Sequence, residues 1–242
     1  MILVISPHLD DAAFSCAGYL LHHRAETKVV VTCFTQSVPD PQGFALACQL
    51  DKGLPASVDY MLLRREEDKS ATALLGAQPI HLPLPEAPHR GYHSAAELFG
   101  SIHDQDSVAL DLAPQLQQLF QTHRPNTVLY PYGAGNHVDH QQVIQVVDHL
   151  RQEMSARFIQ FYDQPYTHRH PGRYPELDEA AVWDDTTALP LNRPFRYTLS
   201  PEHLRQKLAA CAAYASQLGF QFTNAAGMHR LLGDREYYRV VQ

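Results

Sequence analysis

The strongest constraint on this chain is a repeated alternation: short apolar runs rich in β-branched residues, followed by stretches whose apolar positions recur every three or four residues. Met1 to Ile5 is the first run, and Ser6, Pro7 and Asp10 follow it at once as turn and helix-start residues. From Asp11 the apolar residues Ala13, Cys16, Ala17, Leu20 and Leu21 have helical spacing, so a helix starts at Asp10 or Asp11. A second run, Lys28 to Phe34, completes a β-α-β unit. The pattern continues with a helix over about Val58 to Leu75, a strand at Pro79 to Leu82, a helix at Val108 to His123 and a strand at Thr127 to Tyr130. A helix at Asp139 to Met154 and a strand at Arg157 to Phe161 follow. Such alternation predicts an α/β, Rossmann-like fold: a mainly parallel sheet with helices on both faces.

After Val182 the pattern changes to a strand near Phe195 to Leu199, a helix from Pro201 to about Ser216, and a final apolar run, Tyr237 to Val241. Ser200 is placed to cap that helix, with Pro201 at its first position. This part reads as a small C-terminal appended sub-structure within one domain spanning residues 1–242, the core covering about 1–162 and the extension about 163–242. With 45% hydrophobic residues, a chain of 242 can bury one core of that size. Residues Pro83 to Ser107 and Asp163 to Glu176 are rich in Pro, His, Gly and Asp without periodicity, and such long connections are expected to rim a functional site.

A formal net charge of -7 provides no general basic surface, so nucleic acid is not an expected partner. No stretch reaches the roughly 18 to 20 apolar residues of a membrane span, and the first residues lack a basic segment and a cleavage site. A cytoplasmic location is the expectation. Cys16, Cys33, Cys48 and Cys211 lie far apart and mostly inside apolar segments, which predicts buried thiols.

Two polar clusters fall immediately after predicted strands, where a parallel sheet binds its ligands. One is Ser6-Pro7-His8-Leu9-Asp10-Asp11; the other is Gly135-Asn136-His137-Val138-Asp139-His140. An imidazole and two carboxylates in the first, with two imidazoles three apart in the second, provide the ligand types of a His/His/carboxylate zinc site with one position open for water. Other first-row divalent ions suit the same donors. With 15 histidines in the chain, one His near an Asp means little; the joint placement at two strand ends is what points to a metal. Spacing alone leaves open whether His137 or His140 is the ligand.

The two segments resemble the first and second motifs of the PIG-L/LmbE-like N-acetylglucosaminyl deacetylases, Pro/Ala-His-x-Asp-Asp and His-x-Asp-His. Arg64-Arg65-Glu66-Glu67-Asp68 with Leu75-Gly76 resembles the family's Arg-x-x-Glu helix, and Leu84-Pro85-Glu86 its Leu-x-x-Pro-Asp loop. Tyr214-Ala215-Ser216-Gln217 after Lys207 is similar to its closing helix. The resemblance implies one Zn2+ per chain held by His8, Asp11 and His140, with Asp10 as base. It implies that His137, at least partly protonated, stabilises or protonates the collapsing intermediate, and that Arg64 and Glu86 bind substrate hydroxyls. The implied activity is hydrolytic removal of the N-acetyl group from an N-acetylglucosamine-type conjugate. The implied partner is a small amino sugar or glycoconjugate, and a homo-oligomer is compatible with the sequence. The chain departs from the family pattern at Ala12, where Glu is frequent, at Gly135, where some members carry tyrosine, and at Glu86 in place of Asp.

Two other functions compete. Tyr132-Gly133-Ala134-Gly135 after a strand has the form of a phosphate-binding turn, which suits a nucleotide- or cofactor-binding protein, although the third glycine is missing. A catalytically inactive sugar-binding relative is disfavoured by the intact ligand and base set. No Gly-x-Ser-x-Gly elbow supports a serine hydrolase. By default Arg64 to Asp68 reads as a solvated helix face, His168 and His170 as loop surface, and Trp183, Tyr60 and Met61 as core.

Overall fold

In the computed structural model, which describes residues 1–183 and 189–241, the alternating runs pair into one sheet. Its strands are β1 (Ile2–Ser6), β2 (Lys28–Thr32), β3 (Gln78–His81), β4 (Thr127–Pro131), β5 (Arg157–Phe161), β6 (Ala181–Val182), β7 (Pro194–Thr198) and β8 (Arg235–Val241). The spatial order is β3-β2-β1-β4-β5-β8-β7-β6. β3 through β5 are parallel; β8 runs antiparallel to both β5 and β7. The expected mainly parallel α/β sheet is present, and the C-terminal segment extends that same sheet.

Side-chain alternation explains why the central strands β1 and β4 are mostly apolar on both faces. In β1, Ile2 and Val4 join one core layer while Leu3 and Ile5 join the other, and in β4 Leu129 opposes Val128 and Tyr130 in the same way. Each aliphatic side chain fully buried in this manner contributes about 1.5–3 kcal/mol. Helices cover both faces. α1 (Asp11–His22) lies in the first layer; the helices that follow are α2 (Gly43–Leu50), α3 (Tyr60–Leu74), α4 (Ala95–Leu98), α5 (Val108–His123), α6 (Val138–Leu150), α7 (Tyr166–Arg169), α8 (Pro201–Ala212), α9 (Ala215–Phe222) and α10 (Ala225–Leu232). α3 and α8 to α10 share the α1 face, whereas α5 and α6 bury Leu112, Leu116, Phe120, Val143 and Val147 against the opposite one.

Several expectations shift. The helix expected to reach Ser216 stops at Ala212, because the fully buried Tyr214 turns inward and gives its hydroxyl to Asp68, 2.7 Å away, before α9 restarts. The helix expected to reach Met154 ends at Leu150 and tightens into a 3-10 turn over Arg151–Glu153. β8 begins two residues before the apolar run because Glu236, at 0% exposure, is buried as the ion-pair partner of Lys207 at 2.9 Å. α2 was hidden in a segment with no clear period.

The Arg64 to Asp68 segment departs furthest from the solvated-face reading. Arg64, Glu67 and Asp68 are buried, and Glu67 and Asp68 accept hydrogen bonds from Ser216 and Tyr214, tying α3 to the C-terminal helices. Trp183 is half-buried and stacks on Tyr19, with ring centroids 5.4 Å apart. His168 is not free loop surface: its Nδ1 lies 2.8 Å from the Leu231 carbonyl. Cys16, Cys33 and Cys211 are buried thiols and Cys48 is half-buried. Among the described residues, no helix is long and apolar enough to cross a membrane.

Candidate metal centre

β1 and β4 are neighbours whose following helices, α1 and α6, pack on opposite faces of the sheet. The chain therefore diverges at their carboxyl ends and leaves a crevice, the place where open α/β sheets bind ligands. Both motifs enter it. After β1, Ser6 Oγ accepts the Ala12 N–H at 3.2 Å and donates to the His8 carbonyl at 2.8 Å, so Ser6 satisfies the start of α1. Asp10 makes no capping hydrogen bond and its carboxylate is left to the crevice. Asp11 Oδ2 accepts the His8 N–H at 2.8 Å, closing the turn.

After β4, His137 caps α6 instead: its Nδ1 accepts the Asp139 N–H at 3.1 Å. His140, one turn into that helix and at 0% exposure, reaches back towards Asp11. Three donor atoms converge. His8 Nδ1 lies 3.5 Å from Asp11 Oδ2, His140 Nε2 lies 3.3 Å from the same oxygen, and His140 Nε2 and His8 Nδ1 are 3.3 Å apart. A tetrahedral zinc site with bonds of about 2.0–2.1 Å spaces its donors about 3.3 Å apart, so this triangle fits one ion. A second grouping of His8, His137 and Asp139 is also close. Its atoms are already engaged: Asp139 Oδ2 sits 2.9 Å from His8 Nε2 and accepts the Ala87 N–H, while His137 Nδ1 is occupied by the helix cap.

Each imidazole of the triangle is backed by a buried carboxylate. His8 Nε2 faces Asp139, which Arg90 holds at 2.7 Å while also pairing with Asp106 at 2.9 Å. His140 Nδ1 faces Asp163 Oδ1 at 2.7 Å, and Asp163 Oδ2 accepts the N–H groups of Gly133 and Ala134 at 2.8 and 2.7 Å. Such partners fix ring orientation and raise ligand basicity. Burial by itself lowers the His8 pKa, but hydrogen bonds and charges from Asp11 and Asp139 outweigh it and raise it to about 9; His140 is raised likewise by Asp11 and Asp163. The pocket thus stabilises positive charge. Asp163→Asn is expected to weaken divalent-metal affinity about 10- to 100-fold, read by competition with a chelator. Because the Asn amide can still accept the turn N–H groups, unchanged affinity would remove Asp163 from the site.

Burial, with help from the charge on His8, lowers the His137 pKa to about 3. With Nδ1 accepting from the helix, the neutral ring carries its proton on Nε2, so the expectation of a partly protonated His137 is corrected to that of a neutral donor. Asp10 is pushed up to about 6 by burial, against the pull of Arg64. A cavity of about 250 Å³ opens beside the triangle, lined by His8, Asp10, Asp11, Arg64, Glu86 and His137 among others. Arg64, 4% exposed, donates to Glu86 Oε1 at 2.6 Å and places Nη2 3.5 Å from Asp10 Oδ1. Tyr60, expected in the core, instead lines this cavity beneath the Arg64 guanidinium. All seven residues singled out in the sequence therefore meet at one crevice, His140 from behind its wall.

The glycine turn after β4 is committed elsewhere. The N–H groups of Gly133 and Ala134 serve Asp163, and that of Gly135 donates to the Tyr174 hydroxyl at 2.9 Å, so the turn has no N–H array to offer a phosphate.

The family profile of PIG-L, described as GlcNAc-PI de-N-acetylase, matches residues 3–150 and so includes both motifs. The chain belongs to the PIG-L family. A 2'-N-acetylparomamine deacetylase of Streptomyces fradiae is 33% identical over 140 residues, which cover 57% of this chain and 47% of that protein. The PIG-L chain described here thus spans about half the length of the curated relative it matches. Its fold is shared with the A40926 pseudoaglycone deacetylase, at 24% identity and a TM-score of 0.77 over 98% of this chain and 95% of that one. It is shared equally with a deacetylase solved in complex with teicoplanin, at 23% identity and a TM-score of 0.77 over 99% and 97%.

Asp163, Arg90 and Tyr166 were not singled out in this PIG-L sequence. A signal for the first existed: Asp163 lies two residues beyond β5, at the same sheet edge as the other clusters. Tyr166 lines the cavity as the first residue of α7. Burial holds its phenol well above the usual tyrosine range, and so protonated.

Proposed function

We propose that this protein is a metal-dependent amide hydrolase that removes the N-acetyl group from an amino sugar or its glycoconjugate. The observation that carries the reading is the triangle of His8 Nδ1, Asp11 Oδ2 and His140 Nε2, with sides of 3.3 to 3.5 Å, beside a cavity holding a carboxylate outside the triangle. Family membership and a deacetylase relative support the choice of amide. Zinc is the metal we assign, from the two imidazoles and one carboxylate. A divalent cation bound there supplies Lewis-acid activation of the attacking water and the acyl oxygen.

The chain's own residues account for the remaining steps. Asp10 takes a proton from water as the oxygen bonds to the acyl carbon, and the carbonyl π pair moves onto the acyl oxygen. His137 donates a hydrogen bond from Nε2 to the charge that develops. As the pair returns, the C–N bond breaks and the nitrogen takes the proton from Asp10, leaving a free amine and acetic acid, which ionises to acetate by giving the second water proton to solvent or the amine. Arg64 positions Asp10 and, with Glu86, provides polar groups for sugar hydroxyls.

The test assays metal-replete protein for acetate and amine from N-acetylglucosamine, an N-acetylglucosaminide with a bulky aglycone, and an N-acetylated aminoglycoside. At least one substrate is expected to give the two products in equal amounts. Absence of acetate from all three would overturn the assignment.

A further inference from the structure

Among the described residues, two lysine or arginine side chains line the cavity, Arg64 and Lys52, and they are neutralised differently. The Arg64 guanidinium is taken up by Glu86 and Asp10. Lys52 forms no ion pair with a carboxylate of the described residues. Its Nζ donates to the Cys48 carbonyl at 2.8 Å, which serves the end of α2 and occupies one of three N–H donors. Asp51, its neighbour in the chain, also lines the cavity but is exposed.

Aromatic rings surround this ammonium instead. Nζ lies 4.6 Å from the ring centroid of Phe220 and 5.4 Å from that of Tyr60, contacts that attract a cation and leave its remaining donors open. Arg64 sits on the same Tyr60 ring, at 5.3 Å. The two cations therefore flank one ring: Arg64 reaches Asp10 beside the triangle, and Lys52 reaches Phe220, which lines the cavity yet is 54% exposed. Burial, and after it the charge of Arg64, lowers the Lys52 pKa below the ordinary lysine value. Such is the state of an ammonium withdrawn from water with no carboxylate in return, and an anion beside it reverses both effects.

We propose that Lys52 is a specificity-determining residue that selects conjugates in which the group beyond the amino sugar carries an anionic oxygen group, a carboxylate or a phosphate. The inference rests on the deacetylase reading above, which sets the N-acetyl group at the triangle and the sugar hydroxyls against Arg64 and Glu86. The next substituent then passes Tyr60 and meets the ammonium. Two N–H donors of Lys52 are open to an anion there, and the half-exposed Phe220 ring offers a surface to the apolar part of the same substituent. A charge-assisted hydrogen bond in a half-buried position is screened less than a pair on the open surface. No bond is made or broken at Lys52; it acts on substrate affinity and not on the amide.

The test uses three glucosaminides whose aglycone is a phenyl ring bearing a carboxylate, a phosphate or a neutral carboxamide. Their amines are free, so calorimetry on the metal-replete protein reads affinity without turnover. The wild type is expected to bind at least one anionic glucosaminide about tenfold more tightly than the carboxamide, by a margin that shrinks as salt is raised. The anion with the larger margin identifies the source, carboxylate or phosphate. Lys52→Gln, which can still reach the Cys48 carbonyl, and Lys52→Met are each expected to abolish the margin. Equal wild-type affinity for anionic and neutral compounds at any level, absence of binding included, overturns the role of Lys52, as does a margin that survives in either folded variant. Acetate release is read separately from the N-acetylated forms of the three compounds. Its absence contradicts the hydrolytic reading, and the affinity ratio still decides whether Lys52 selects an anion.

Discussion

Asp11→Ala and His140→Ala are each expected to purify folded but without bound divalent metal, and to lose about 10³-fold or more in kcat/KM, the scale of several kcal/mol of Lewis-acid stabilisation. Each removes one corner of the donor triangle, and two donors cannot hold an ion against a chelator as three do. The fold should survive. Asp11→Ala leaves the His8 N–H without its acceptor, and His140→Ala leaves Asp163 with its two backbone donors. A lost partner of this kind costs about 1–3 kcal/mol, against a typical domain stability of about 5–15 kcal/mol. Thermal unfolding, metal analysis and kinetics on the same preparations check the result. One metal per chain and near-normal rates in both variants would remove the triangle from the mechanism.

Asp10→Asn is expected to do the opposite to the metal: occupancy stays at the wild-type level while kcat falls about 10²- to 10⁴-fold, the range for a positioned acid-base group. The substitution is clean because Ser6, not Asp10, satisfies the Ala12 N–H at the start of α1. Asn keeps the size and loses the ability to take a proton from water. Its loss of charge also leaves Arg64 with Glu86 as its remaining carboxylate partner, so substrate affinity should change much less than turnover. If Asp10→Asn turned over at the wild-type rate, the base would have to be sought elsewhere in the cavity.

The parts of this structure that were legible in the sequence are those set by local pattern. β1, β2 and β4 are built on short apolar runs because both faces of each strand are covered, and α1, α3, α5 and α6 carry enough turns to show a period. Short helices such as α4 and α7, at four residues each, are too brief to show one. β8 escaped at its start because Glu236 is a buried charge, and nothing in the local sequence indicates that Lys207 will neutralise it. The site divides in the same way. His8, Asp10, Asp11, His137 and His140 stand in two compact motifs at strand ends. Asp139 read as a helix start, although its carboxylate orients His8. Asp163 and Arg90 act through partners many residues away, and Tyr166 acquires its place only because Gly135 lacks a side chain. The charges of Arg64, Glu67 and Asp68 looked solvated because their partners, Glu86, Ser216 and Tyr214, arrive through tertiary packing.

The proposed role of one divalent ion on His8, Asp11 and His140 is to make this chain cleave an N-acetyl group. It is tested most directly by stripping the protein with a chelator, titrating zinc back, and measuring bound metal and acetate release on the same samples. Acetate release should be absent in the stripped protein, rise in proportion to bound zinc and level off at one ion per chain. Full acetate release from protein shown to contain no metal would contradict metal-dependent hydrolysis.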